Sequence, residues 1–247
     1  MHVTGSSGGD EARVRERLYD SYRSTHAEHE PRGLGAPALR RNVIARLPAD
    51  RRARILDIGC GDGELLLLMR AHGYTEVEGI DVSGEQVESA RARGLDVVRA
   101  DAMTFLRSRP QRYDAICAID LIEHFEKPDV VRLLELVAAS LKPGGTLVAQ
   151  VPNGESPFFG RYRYGDFTHG TAFTSRSIRQ IAANTGFAIV EAYPCEPVPH
   201  GARSLLRLAA WRAIAAVLKG MLLAETGVAR GHIVTQNLVF TARTPDA

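Results

Sequence analysis

A glycine-rich turn at residues 55–66 carries the strongest ligand-binding signal in the chain. The stretch reads Ile-Leu-Asp-Ile-Gly-Cys-Gly-Asp-Gly-Glu-Leu-Leu, so an apolar strand runs into Gly59, Gly61 and Gly63 before a run of leucines. Glycine lacks a Cβ, which lets the backbone turn sharply and approach a bound molecule closely. A helix that begins after the turn offers unpaired N–H groups. The pattern predicts a nucleotide-like ligand here.

The residues around this turn fit a nicotinamide dinucleotide poorly. Its fingerprint is G-x-G-x-x-G, and the third glycine allows close packing of helix on strand. Counted from Gly59, that third position is Glu64, and Asp57 places negative charge where a pyrophosphate would be repelled. A ligand with a cationic centre fits better, and a dinucleotide oxidoreductase stays as the rival hypothesis.

The same segment resembles motif I of the class I S-adenosylmethionine (SAM)-dependent methyltransferases. The resemblance implies that Asp57 lies near the methionyl ammonium of SAM. It also implies that Gly59, Cys60, Gly61 and Gly63 form the loop that passes under the cofactor.

Further segments continue this resemblance in chain order. Residues 77–81 look like the second strand. The resemblance implies that Asp81 binds the ribose hydroxyls of SAM and that the next residue, Val82, also contacts the cofactor. A carboxylate suits that role because it accepts hydrogen bonds from two neighbouring hydroxyls. Asp101 and Ala102 look like the motif that contacts adenine, with Asp101 near the exocyclic amine.

Two later segments complete the match, which covers about residues 50–152. Residues 113–120 look like the fourth strand, and its last residues, Ile119 and Asp120, join the implied cofactor-binding set. Residues 141–147 look like the turn into the fifth strand. Five motifs in the right order predict a SAM-dependent enzyme.

Two histidines have contexts that suit proton transfer. His169 follows Asp166 in Gly-Asp-Phe-Thr-His, and His124 ends the stretch Asp-Leu-Ile-Glu-His after the fourth strand. Histidine titrates near neutral pH and is the usual general base. We predict His169 as the base, oriented by Asp166, and His124 as a cofactor-side or positioning residue. The alternative for each histidine is a structural hydrogen bond.

The resemblance favours an O-methyltransferase acting on a sugar hydroxyl or a related small-molecule or glycan acceptor. Similar Asp-x-Thr-His stretches recur in methyltransferases that resemble those of glycan gene clusters. Methylation of a nitrogen or carboxylate, and a non-catalytic SAM-binding protein, are the alternatives. A divalent metal on Asp120, Asp166 and His169 lacks an evident cluster of oxygen ligands, so we expect none.

Apolar periodicity predicts alternating strands and helices that would position these residues. Ser83 with Gln86 reads as a capping box. Alternation predicts a Rossmann-like, doubly wound α/β fold with a seven-stranded, mostly parallel sheet, whose ligands bind at the carboxyl ends of the strands. The resemblance adds an antiparallel last strand. Predicted strands cover 53–58, 76–81, 96–99, 113–119, 146–151, 187–193 and 232–242, and predicted helices cover 63–72, 84–93, 102–108, 128–140 and 174–185.

The remaining segments are interpreted by composition. Residues 1–10 read as disordered, and helices are predicted over 11–30 and 38–47, separated by a Pro-rich break. The resemblance implies that residues 11–50 form a helical cap over the cofactor cleft, and two helices that simply pack on the sheet are the alternative. The SAM-binding methyltransferase domain would cover residues 51–247, with an aromatic acceptor loop at 152–173.

A leucine-rich helical insert is predicted at residues 200–230. Its apolar residues are interrupted by arginines and do not gather on one clean face, so it is too polar to span a bilayer. A substrate lid, a homodimer contact, an interfacial membrane helix and plain core packing all stay open.

Composition narrows the class of protein. The 247 residues include 31 basic and 29 acidic side chains, a near balance that gives no support for nucleic-acid binding. Three cysteines, an odd number, argue against a disulfide framework and favour a reducing compartment. We therefore expect a cytoplasmic protein, with no zinc-type cysteine and histidine spacing.

Overall fold

The computed structural model describes residues 35–246, which form a seven-stranded sheet flanked by helices. The strand order is β3-β2-β1-β4-β5-β7-β6, and all neighbours are parallel except β7, which runs antiparallel to β5 and β6. This confirms the predicted fold class. The strands are β1 (Ile55–Ile58), β2 (Val77–Asp81), β3 (Val97–Arg99), β4 (Tyr113–Ile119), β5 (Leu141–Pro152), β6 (Ile189–Pro194) and β7 (Asn237–Arg243).

Eight α-helices and two short 3-10 turns lie within residues 35–246. The 3-10 turns cover Ile44–Arg46 and Ile122–His124. The helices are α1 (Ala36–Asn42), α2 (Glu64–Ala71), α3 (Gly84–Ala92), α4 (Ala102–Arg107), α5 (Lys127–Ser140), α6 (Phe159–Arg163), α7 (Ser175–Ala183) and α8 (Ala202–Thr226).

The sheet separates two apolar cores, because successive side chains of a strand point to opposite faces. On β4, Ile116 joins the core formed with α4, α5 and α7, whereas Cys117 joins the core formed with α1, α2 and α3. Both residues are fully buried. Helices on both faces leave the carboxyl ends of the strands as the place for a ligand.

Three local predictions need correction. Pro37 lies in the first turn of α1, where proline loses no hydrogen bond, so the Pro-rich break ends before it. Ser83 is the N-cap of α3 but makes no side-chain capping bond. Its backbone N–H, which Gln86 would accept in a capping box, donates to Oδ1 of Asp81. The acceptor loop holds the short helix α6, which periodicity had not indicated.

The start of α7 agrees with its sequence signal, whereas the start of the last strand does not. Thr174 caps α7 through a reciprocal pair of hydrogen bonds with Ser177. The last strand begins at Asn237, five residues later than the alternation at 232–242 suggests, because the preceding residues make no ladder. The predictions for residues 1–10 and for the helix over 11–30 lie outside the described residues. Over residues 35–246, none of the helices has the length and apolar character that crossing a bilayer requires.

Candidate active site

The carboxyl ends of four adjacent strands bring the predicted cofactor-binding acids to one edge of the sheet. Asp57 on β1 lies level with Gly79 on β2 and Cys117 on β4, so these strands end side by side. Asp81 closes β2 and Asp120 follows β4. The edge therefore collects carboxylates around the glycine turn.

The turn after β1 has the backbone conformation that its glycines predict. Gly59 and Gly61 have φ angles of +70° and +54°, in the left-handed region. A Cβ on Gly59 would lie 2.8 Å from Cδ1 of Leu121, so a side chain there would clash. A Cβ on Gly61 would meet nothing within 4 Å. The turn thus packs against the protein at Gly59 and faces open space at Gly61, where a ligand can approach the backbone.

Asp81 holds this turn in place. Its Oδ2 accepts a hydrogen bond from the Gly61 backbone N–H at 2.9 Å, and its Oδ1 accepts one from Ser83 at 2.8 Å. Burial raises the pKa of this carboxyl, and the backbone hydrogen bonds oppose that effect. Each oxygen keeps a second lone pair, so the carboxylate can still accept two hydroxyl groups.

Asp57 is buried at 2% exposure, next to this carboxylate. Burial, and then the charge of Asp81, raise the pKa of Asp57 to about 8. A cationic group at this position would favour the ionised form of Asp57. Carboxylates beside an open glycine turn are suited to bind SAM, because they can face its cationic ammonium and sulfonium and accept hydrogen bonds from its ribose hydroxyls.

The other predicted cofactor-binding residues lie around this pair. Asp101 is exposed and caps α4, because its Oδ1 accepts from the Thr104 N–H at 2.9 Å, which leaves Oδ2 for a ligand. Ala102 begins α4, and Val82 is 42% exposed beside Asp81.

Cys60 contributes packing to the turn. It is buried, and burial together with the charge of Asp57 raises the pKa of its thiol. A thiol that stays protonated is a poor nucleophile, so Cys60 acts here as an apolar residue of the turn.

Asp120 has a left-handed backbone conformation directly after Ile119 and β4. Its φ is +51°, which is uncommon for a residue with a side chain although aspartate tolerates it. Both carboxylate oxygens accept hydrogen bonds from Nε2 of the fully buried Gln150, at 2.9 and 3.0 Å. The bend turns the chain toward the 3-10 turn that carries His124.

Thr168 connects Asp166 to His124. Its Oγ1 lies 2.6 Å from Oδ1 of Asp166 and 2.8 Å from Nδ1 of His124. Because an ionised carboxylate only accepts, the hydroxyl donates to Asp166 and accepts from Nδ1–H of His124. Burial, and then the neighbouring His169, lower the pKa of His124 to about 4, so this imidazole is neutral at physiological pH.

His169 lies against the same group of residues. Its Nδ1 lies 3.2 Å from the carbonyl oxygen of Tyr162, which can only accept, so Nδ1 carries a hydrogen. Its Nε2 lies 3.8 Å from Oδ2 of Asp166, and both side chains are less than one-tenth exposed. The His124 and His169 rings are 4.8 Å apart between centroids. The structure therefore brings the three predicted catalytic residues together.

Glu123 is buried beside them, and within residues 35–246 its two carboxylate oxygens have no hydrogen-bond partner. Burial, and then the charge of Asp120, raise its pKa well above the usual range. Its backbone carbonyl accepts from Gly170 at 2.8 Å and from Thr171 at 3.0 Å, which ties the acceptor loop to the 3-10 turn.

Ligand atoms of Glu123, His124 and His169 lie within 4.8 Å of one another, so among residues 35–246 this trio is a group that could hold a metal ion. It differs from the set considered from the sequence, Asp120, Asp166 and His169.

Three site residues were missed by sequence reasoning. Thr168 stood inside the quoted Asp-x-Thr-His stretch, and the hydroxyl between an acid and a histidine was the available signal. Glu123 was noted only as the neighbour of His124. Gln150 lies in a buried strand, and nothing in the sequence places it opposite Asp120.

A family model described as a methyltransferase domain matches residues 28–192, more than half of the chain. Trans-aconitate 2-methyltransferase of Rhizobium rhizogenes is 33% identical over 116 residues, which are 46% of this chain and 44% of that protein. A ubiquinone biosynthesis O-methyltransferase of Saccharophagus degradans is 31% identical over 115 residues, which are 44% of this chain and 48% of that protein. The chain thus spans about half the length of these curated relatives.

The fold is similar to that of a solved SAM-dependent methyltransferase from Archaeoglobus fulgidus. The TM-score is 0.68, with 23% sequence identity, over 90% of this chain and 99% of the solved one. At 23% identity, this similarity shows a common fold.

Proposed function

Since the chain belongs to the class I SAM-dependent methyltransferases, we propose that it methylates a hydroxyl oxygen of a small-molecule acceptor. The observation that carries the proposal is the buried group of Asp166, His169 and His124 beside the carboxyl edge of the sheet. An oxygen acceptor must lose its proton on methylation, and this group is built to receive one.

The cofactor would be held by the edge described above. Asp57 would face its ammonium, Asp81 its ribose hydroxyls, and the turn at Gly61 would lie beneath it. SAM supplies a methyl group activated on a sulfonium. The chain itself has to bind SAM and the acceptor, align the acceptor oxygen with the methyl group and exclude water. Alignment alone can lower the activation free energy by roughly 7–11 kcal/mol at best.

We assign the base role to Nε2 of His169. The carbonyl of Tyr162 fixes the hydrogen on Nδ1, so Nε2 is the atom that gains the proton. The carboxylate of Asp166, 3.8 Å from Nε2, would stabilise the imidazolium that results.

His124 takes the positioning role. It is neutral at physiological pH and is fixed through Thr168 to the same Asp166. A neutral ring beside His169 leaves the positive charge to a single imidazole, which avoids repulsion between two cations 4.8 Å apart.

A sugar or related polyol is the acceptor class that we propose first. Three aromatic side chains of the loop, Phe158, Tyr164 and Phe167, are 53%, 77% and 93% exposed. Exposed rings can pack against the apolar face of a sugar. The curated relatives carry names that point to trans-aconitate and to ubiquinone biosynthesis, so a carboxylate and a phenolic hydroxyl are the competing acceptors.

The test is methyl transfer from labelled SAM to a panel of sugars, phenols, carboxylates and amines. With the best acceptor, His169→Ala should lower kcat by about 10²–10⁴ and leave the affinity for SAM unchanged. His200→Ala, at an exposed histidine of the same chain, is the matched control and should retain full activity.

The panel also decides between oxygen and other acceptors. A carboxylate, or an amine that is already unprotonated, needs no base, so insensitivity of kcat to His169→Ala would contradict the proposal and favour those classes. SAM binding without transfer to any panel member would favour a non-catalytic protein.

A further inference from the structure

Helix α8 (Ala202–Thr226) lies beyond the residues that match the methyltransferase family, which end at residue 192. One side of the helix faces the protein. Its buried or half-buried residues recur at intervals of three and four, as expected for one face of a helix. These residues are Ser204, Leu208, Trp211, Ala215, Leu218 and Leu222.

The opposite side of α8 is apolar and exposed. Leu206, Val217 and Leu205 are 72%, 65% and 57% exposed. At 3.6 residues per turn they share an arc of roughly 140° that no charged side chain enters. The rest of this arc consists of small residues, namely Ala202, Ala209, Ala210, Ala213, Ala216, Gly220 and Ala224, together with Leu223.

Both faces being apolar explains why the sequence showed no single apolar face. The helix has one apolar stripe that faces the core and another that faces solvent on the opposite side. The apolar residues are therefore spread around the helix, and the sequence does not look amphipathic. The exposed stripe is the surface that needs a partner, because soluble proteins rarely expose contiguous apolar patches that serve no contact.

Basic residues border the exposed stripe on both sides. Arg203 and Arg207 lie along one border, Arg212 and Lys219 along the other, and all four are exposed. Arg212 also lies 3.5 Å from Glu196, an ion pair at 63% exposure of the arginine. The helix carries one acid, Glu225, in its last turn.

We propose that the outer face of α8 lies in the surface of an anionic lipid bilayer. An apolar stripe bordered by arginine and lysine matches the boundary between acyl chains and negatively charged headgroups. The helix does not qualify as a membrane span, which agrees with an orientation parallel to the surface. A second copy fits less well, because pairing two such stripes would bring their cationic borders together.

Both ends of the α8 segment are fixed at the carboxyl edge of β5. After the helix, Ile233 donates its N–H to Glu155 at 3.3 Å, and its carbonyl accepts from Nδ2 of Asn153 at 2.6 Å. Before the helix, the Cys195 N–H donates to Thr235 at 3.2 Å. The docking helix is therefore attached on the side of the sheet where the candidate active site lies.

The experiment is sedimentation of the full chain with vesicles of phosphatidylcholine alone or mixed with phosphatidylglycerol. We expect binding to the anionic vesicles that weakens as salt is raised. Trp211 is the single tryptophan of the chain and lies on the protein-facing side of α8, so its fluorescence should change little on binding and reports whether the helix keeps its packing. Neither readout depends on methyl transfer, so this test is independent of the proposed function.

The double substitution Leu206→Glu with Val217→Glu should weaken vesicle binding at least about tenfold. The matched control is Val131→Glu with Ile189→Glu, two exposed apolar residues at 38% and 56% on other elements, and it should bind as the unmodified chain does. Circular dichroism checks that both variants keep their helix content.

Three results would overturn the proposal. The first is no sedimentation with anionic vesicles, and the second is equal binding by the α8 variant and the control. The third is a dimer in solution that the α8 substitutions dissociate while vesicles bind nothing, which would assign the stripe to a second copy.

Discussion

Nδ1 of His124 lies 2.8 Å from Oγ1 of Thr168, and that hydroxyl lies 2.6 Å from the carboxylate of Asp166. The threonine therefore holds two candidate site residues in one arrangement. His124 stands on the 3-10 turn after β4 and Asp166 on the acceptor loop, so the contact also fixes the loop against the sheet.

Replacing Thr168 by valine keeps the shape and removes the hydroxyl. We expect kcat to fall roughly 10–100-fold, because misplaced reacting groups lose alignment, while the Kd for SAM stays the same. Steady-state kinetics with calorimetry would measure both. Thr75→Val, at an exposed threonine before β2, is the control, and an unchanged kcat in the Thr168 variant would refute the positioning role.

The contribution of His124 to stability should fall as the pH falls from about 6.5 to about 4. Burial lowers the pKa of His124 from 6.5 to about 4 in the folded chain, so at this residue the unfolded chain binds more protons across the window. The contribution is fully present above pH 6.5 and is lost as the pH falls through the folded pKa. The raised pKa values of Asp57 and Glu123 act in the opposite direction, so the test compares thermal unfolding of two variants at several pH values.

The stability of the unmodified chain relative to His124→Gln should fall as the pH falls through this window, and its stability relative to His200→Gln, at an exposed histidine, should stay constant. A difference from His124→Gln that does not change with pH would contradict the assigned role of His124.

SAM should bind more tightly as the pH rises toward 8. Without ligand, Asp57 holds a proton below its pKa of about 8, and a cationic ligand favours the ionised form. The proton must therefore be displaced at lower pH, which weakens binding there. Titration calorimetry across this range should show the slope, and Asp57→Asn should remove it and weaken binding. Glu76→Gln, at an exposed acid, should behave as the unmodified chain, and a slope that survives in Asp57→Asn would refute this account.

Removal of divalent metal should leave turnover unchanged. The proposed base is an imidazole oriented by a carbonyl and a carboxylate, and it needs no Lewis acid. Dialysis against a chelator followed by an assay with and without added Mg²⁺ or Zn²⁺ tests this. Loss of activity that metal restores would instead assign an ion to Glu123, His124 and His169.

Much of the fold follows from local patterns. The alternation of apolar strands and helices predicts the parallel sheet. The glycines after β1 and the acids at the strand ends predict the edge of the sheet where a ligand binds. Both predictions were possible because each signal lies within a short stretch of sequence. The Ser83 capping box was wrong because Asp81, two residues earlier at the end of β2, accepts the Ser83 N–H that the box would give to Gln86. The two apolar stripes of α8 were hidden because each cancels the other around the helix.

The site was predictable in its parts and less so in its connections. Asp166, His169 and His124 were identified from sequence neighbours, whereas the hydrogen bond between Thr168 and His124 joins residues 44 positions apart. The pairing of Gln150 with Asp120 likewise depends on β4 and β5 lying side by side. Such contacts are set by packing, which periodicity does not report.

Titration calorimetry with S-adenosylhomocysteine, the demethylated product, tests the central claim most directly. The claim is that the carboxyl edge around Asp57, Gly61 and Asp81 binds an adenosyl cofactor. We expect saturable heat with one site per chain, and much weaker binding in the Asp81→Asn variant. Absence of heat from protein that circular dichroism shows to be folded would contradict it.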